Sequence, residues 1–146
     1  MLKKVITYTD YDGNERTETH YFNLSKAEML DMELFTAGGY SNMLQRVIEE
    51  KNQIEIVKIF KELVLKSYGI KSEDGKRFMK SEEITKAFTE TEAFTELYME
   101  LATDSEAAAA FANGIMPKDI QAEVREKLPD GPMDIRDLAK LKLGKE

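Results

Sequence analysis

Apolar and polar positions follow two different periods along the chain, and the first change of period separates a strand region from a helical one. Residues 3–9 are rich in β-branched and aromatic side chains, and Asp10-Tyr11-Asp12-Gly13-Asn14-Glu15 supplies turn chemistry. Residues 16–23 then set Thr17, Thr19 and Tyr21 against charged or polar neighbours. Alternation on both sides of an Asp/Gly/Asn turn predicts a β-hairpin. A two-stranded ribbon is marginal in water, so one of its faces must lie on the helices that follow.

From residue 25 the period lengthens. Ser25 with Glu28 three positions on forms a capping box, preceded by Leu24 as a staple toward Met29. The helix it opens carries Met29, Leu30, Met32, Leu34 and Phe35 and stops at Gly38-Gly39. A second helix is predicted over 41–51, with Met43, Leu44, Val47 and Ile48 on one side. The clearest helical stripe runs from Ile54 to Tyr68, where Ile56, Val57, Phe60, Leu63 and Val64 oppose Glu55, Lys58, Lys61, Glu62 and Lys66. Gly69 is expected to end it, and Ser72 to Lys76 to form a polar turn before Phe78 and Met79 return to the core. Ser81, Thr91 or Thr89, and Asp104 are then candidate caps for three short helices. Pro117 suits the first turn of a helix reaching about Lys127, and Leu128-Pro129-Asp130-Gly131-Pro132 ends it. The fold class expected is α+β: a mainly α-helical single domain with an N-terminal β-hairpin packed on the helices. Its parts are a domain over 1–127, with the hairpin in 1–24 and helices in 25–127, and a charged, mobile tail over 128–146.

Composition narrows the chemistry. The chain of 146 residues has 28 acidic and 21 basic side chains, a net charge of −7, which opposes binding driven by phosphate neutralisation. There is no cysteine and His20 is the only histidine, which removes disulfides, thiolate catalysis and Cys/His metal centres. His20 reads as an exposed strand residue. Asp10, Asp12 and Asn14 match the opening of a calcium loop, but Glu15 and Tyr21 stand where glycine and the bidentate glutamate belong, so a hairpin turn is expected. Gly38-Gly39 lacks the spacing and lysine of a phosphate loop. No secretory leader and no apolar run of membrane-spanning length is present, so the chain is expected to stay in the cytoplasm where it is made. No catalytic residue, cofactor or metal site is assigned.

Charge is distributed unevenly. Ser81 to Glu106 holds eight acidic residues and one base, Lys86, and within it Glu92, Glu96 and Glu100 recur every four residues on one helical face. Lys66, Lys71, Lys76, Arg77 and Lys80 make the preceding stretch basic despite Glu73 and Asp74. Candidate partner-binding positions are therefore Glu92, Glu96 and Glu100 on the acidic side, and Lys71, Lys76, Arg77 and Lys80 on the basic side. The alternation of sign also allows a head-to-tail homo-oligomer. Eight methionines is a high number. Met29, Met32 and Met43 are adaptable packers, suited to the core or to an adaptable binding surface.

Several consecutive segments resemble one family. Ile6-Thr7-Tyr8-Thr9-Asp10-Tyr11-Asp12-Gly13, Phe22-Asn23-Leu24-Ser25-Lys26-Ala27-Glu28, Ile59 through Gly69, Lys71 through Phe78, Thr91-Glu92-Ala93-Phe94 and Met99 through Asp104 together resemble the tail assembly chaperones of long-tailed, siphovirus-type bacteriophages. The likeness covers residues 4 to about 117 and rests on overall similarity, without a catalytic signature. It implies a non-enzymatic helper in the host bacterial cytoplasm, absent from the mature virion. Such a helper binds the tape measure protein, keeps it soluble and recruits major tail (tube) protein subunits, with no role for nucleic acid, membrane or cofactor. It also implies a frameshifted longer form, with Asp134 to Glu146 as the ending of the short one. The alternative from another class is a structural virion component such as a head-tail connector or tail completion protein.

Overall fold

The computed structural model describes residues 1–117. Their elements in chain order are β1 (Leu2–Thr9), β2 (Glu15–Phe22), α1 (Lys26–Phe35), α2 (Tyr40–Glu49), α3 (Gln53–Ser67), β3 (Tyr68–Lys71), β4 (Phe78–Met79), α4 (Glu82–Thr89), α5 (Glu92–Thr103) and α6 (Ser105–Gly114). The helix expected from Pro117 and the tail over 128–146 lie outside the described residues. The chain divides into two compact units, Met1–Asn23 with Phe60–Ile115, and Leu24–Ile59 with Met116 onward.

The first unit holds a four-stranded antiparallel sheet in the order β1-β2-β3-β4. The hairpin forms as its alternation predicts, in unbroken register from Leu2↔Phe22 to Thr9↔Glu15. Its turn is built by Asp10, whose Oδ1 accepts the amides of Asp12 and Asn14 at 2.9 Å while Gly13 takes φ +85°. The Asp10 carboxylate is therefore spent inside the turn and on Arg16, as a hairpin requires and a calcium loop does not. Among the described residues no cluster of acidic or histidine side chains is arranged to hold a metal ion.

Alternation also decides what the hairpin buries. Ile6 and Phe22 point to the helical side and are buried, whereas Val5, Thr7, Thr17 and Thr19 face out. Beneath the sheet Phe22 meets Tyr68, Phe88 and Phe111, and the Tyr68 and Phe88 rings stack with centroids 4.0 Å apart. Ala93, Leu97 and Leu101 of α5 and Ala108 of α6 complete this core. The expected caps hold: Ser81 accepts the Ile84 amide, Thr91 rather than Thr89 accepts that of Phe94, and Asp104 accepts those of Glu106 and Ala107.

Two features depart from expectation. The helical stripe ends one residue early, at Ser67, and Tyr68 begins a strand that pairs with Phe22, next to a Gly69↔Tyr21 pair. Ser67 makes that switch possible. Its hydroxyl turns back onto the Leu63 carbonyl at 2.6 Å, while its own carbonyl accepts the Asn23 amide at 2.7 Å, so the buried junction has partners. Gly69 is required by close approach: a Cβ there would lie 2.7 Å from the Phe78 ring and 3.0 Å from the Met79 carbonyl oxygen. The other departure is His20, expected in solvent. It lies on the inner face, with its side chain 13% exposed, against Tyr68 and Phe88.

The second unit contains α1, α2 and the first turns of α3. The capping box is present in both directions: Ser25 Oγ accepts the Glu28 amide, and Glu28 Oε1 accepts that of Ser25. Gly38 and Gly39 take positive φ after α1, where the helix was expected to stop. Leu24, Met29, Met32, Tyr40, Val47 and Ile59 are buried.

Candidate partner-binding surface

The acidic residues of α5 lie beside the hairpin. Glu92 Oε1 accepts the Tyr11 hydroxyl at 2.9 Å, and Glu100 Oε1 accepts Lys4 Nζ at 2.7 Å. These contacts lie about one helical turn to either side of Glu96, which is exposed and takes part in no hydrogen bond or ion pair among the described residues. Repulsion along the stripe is thus relieved at both ends by groups on the hairpin, and the middle carboxylate stays available. The Tyr11 hydroxyl is harder to ionise because it donates to Glu92. Lys4–Glu100 is partly exposed and contributes roughly 0–1 kcal/mol.

The basic residues sit at the other end of the sheet. The β3–β4 turn is tied by Ser72 and Asp74: Ser72 Oγ donates to Asp74 Oδ1, which also accepts the Lys76 amide, and the Arg77 amide donates back to Ser72 Oγ. Those hydrogen bonds hold the Asp74 carboxyl below its ordinary range and present Lys76 and Arg77 at an exposed tip. Lys71 lies with its ammonium 4.9 Å from the centre of the Tyr21 ring. Lys80 is used differently. Its ammonium donates to the Asn23 carbonyl at 2.7 Å and to the Lys66 carbonyl at 2.8 Å, joining the end of β2 to the last turn of α3. Nothing in its sequence neighbourhood signals that role.

Between the two charged ends, a half-buried polar row crosses the inner face of the hairpin. The Tyr8 hydroxyl donates to Glu18 Oε1 at 2.6 Å, and this raises its pKa. Burial pushes the His20 pKa down, against a smaller opposing pull from Glu18, and Nε2 has no hydrogen-bond partner among the described residues. Desolvation thus favours the neutral imidazole.

The methionines divide. Met29 and Met32 are buried and Met43 is half-buried, whereas Met99, beside the acidic stripe, is 57% exposed. On α1 the exposed apolar groups are instead Leu34 and Phe35, the latter 82% exposed, and Ile54 is exposed on α3. In sequence Leu34 and Phe35 are indistinguishable from the apolar residues of the same helix that go inside.

A family model described as phage tail assembly chaperone matches residues 1–142. The chain belongs to that family. The match spans both compact units and extends beyond the stretch over which the sequence resemblance was drawn. No curated protein and no solved structure matches the chain. A tail assembly chaperone acts on other proteins of the tail, so the exposed charged and apolar positions of this family member are the relevant ones to consider. None of its described helices is long and apolar enough to cross a membrane.

Proposed function

We propose that the protein binds the tape measure protein, keeps it soluble during assembly and recruits major tail protein subunits, without catalysing a reaction and without entering the virion. The reading is carried by family membership over residues 1–142. The placement of opposite charge on two ends of one sheet accords with it: Glu92, Glu96 and Glu100 beside β1, and Lys71, Lys76 and Arg77 around the β3–β4 turn. Two such surfaces allow one chain to engage two proteins, or client and second copy, at once. The work is placed in the host cytoplasm, and a longer product sharing this sequence would carry the same surfaces.

Co-expression with the tape measure protein of the same phage is the test. The expected outcome is a soluble complex. Equal solubility of the tape measure protein with and without this chain sinks the reading. Mass spectrometry of purified virions then separates a departing helper from a structural component, which would be present in stoichiometric amount.

A further inference from the structure

Among the described residues β1 is an outermost strand of the sheet, and its unpaired side opens into a groove rather than onto bulk solvent. Across a volume of about 290 Å³, residues 4–7 of β1 face Glu96, Met99 and Glu100 of α5. The direction of the backbone groups follows from the turn. The Asp10 amide donates to the Asn14 carbonyl and the register continues unbroken to Leu2↔Phe22, so the even-numbered residues of β1 direct their amides to β2. Lys3, Val5 and Thr7 therefore turn their N–H and C=O groups to the open edge. Val5 is 61% exposed. A free strand edge walled by a helix is the geometry in which an extended peptide adds a further strand, its backbone supplying hydrogen bonds and alternate side chains supplying choice.

Charge selects the occupant. Lys4 is engaged by Glu100, so among the described residues the unsatisfied charge of the groove is the Glu96 carboxylate, and its exposed apolar wall is Met99. We propose that an extended segment of the client, with an apolar and a basic side chain two positions apart on the face turned to α5, pairs with β1 in this groove as a fifth strand. An apolar side chain of that segment lies on Met99 and a Lys or Arg meets Glu96. The inference rests on the chaperone reading above and names where and how that reading is carried out.

The probe is the tape measure protein of the same phage, co-expressed with the full chain. In the complex, the amides of Lys3, Val5 and Thr7 exchange with deuterium at least tenfold more slowly than in the free protein. Val5→Pro removes an edge N–H while sparing the β1–β2 ladder, and weakens the complex roughly five- to tenfold. Glu96→Lys, on an exposed helical position, does the same without lowering the melting temperature, and carries the test alone if the proline variant fails to fold. If the client is insoluble even with the wild-type chain, both the groove and the chaperone reading fall. A soluble complex with unprotected edge amides and full tolerance of Glu96→Lys overturns the groove and leaves the chaperone reading standing. Slowed exchange of the same amides in concentrated protein without client makes a second copy the occupant, and overturns the proposal too.

Discussion

The two ends of the sheet solve the same problem in opposite ways. β1 leaves eight residues of strand at an edge, and among the described residues Lys4–Glu100 and Tyr11–Glu92 are the polar contacts that link its hairpin to the neighbouring helix. The β3–β4 end is short, has a turn closed on itself through Ser72 and Asp74, and is pinned by Lys80 to two backbone carbonyls. Charge at the first end is partly unspent, and at the second it is partly consumed in holding the fold. The contrast teaches that a lysine in a basic stretch and a glutamate in an acidic one are equivalent in sequence but not in use. An exposed strand edge is a liability that proteins normally shorten or guard, and only the β3–β4 end is shortened.

Stability should therefore respond strongly at the β3–β4 end and weakly at the β1 end. Gly69→Ala forces a Cβ against the Phe78 ring and the Met79 carbonyl, and is expected to cost about 1–3 kcal/mol in urea denaturation. An unchanged midpoint would show that this end is as loose as the other. Lys80→Met keeps the aliphatic stem but strips two hydrogen bonds from the Asn23 and Lys66 carbonyls, for a loss of about 1–2 kcal/mol. Equal stability of this variant would return Lys80 to the set of free surface charges. Under the middle of the sheet, His20 is held neutral by burial, so the unfolded chain takes up a proton near the ordinary value of 6.5 that the folded chain refuses. Stability is then complete above that pH and declines as pH falls below it. Thermal melts between pH 7.5 and 5.5 should show the decline, and His20→Phe should flatten it. The depressed Asp10 and Asp74 contribute in a separate, more acidic window, lost only as pH drops below about 4. Smallest of all, Glu100→Gln at the β1 end should change stability by no more than about 1 kcal/mol, with the difference vanishing in high salt. A larger loss would mean that the open edge depends on this ion pair.

What the sequence made legible was local. The hairpin, the capping box at Ser25 and Glu28, the glycine stop at Gly38-Gly39 and the caps at Ser81 and Asp104 all depend on residues within a few positions of one another. Strand β3 was not legible, because Tyr68 satisfies the helical spacing of Phe60 and Val64 and only pairing with Phe22, distant in sequence, makes it a strand. His20 was read as exposed because alternation fixes which residues share a face but not which face is covered. The candidate surface was readable as two blocks of charge. Its inner bookkeeping, with Lys80 on backbone, Glu92 and Glu100 on the hairpin and Glu96 left over, required the fold.

The seam between β2 and β3 sets the order of events when the chain folds. Each flanking hairpin closes a short loop, which takes about microseconds, but the two register pairs Tyr21↔Gly69 and Phe22↔Tyr68 must bring together segments separated by three helices. Substitutions at Phe22 and Tyr68 should therefore slow refolding, and so should changes in the β1–β2 turn, which must be closed before the seam can form. A sheet assembled this way is completed only after the helices between its halves have been made, so the β2–β3 seam is among the last of its features to become rigid.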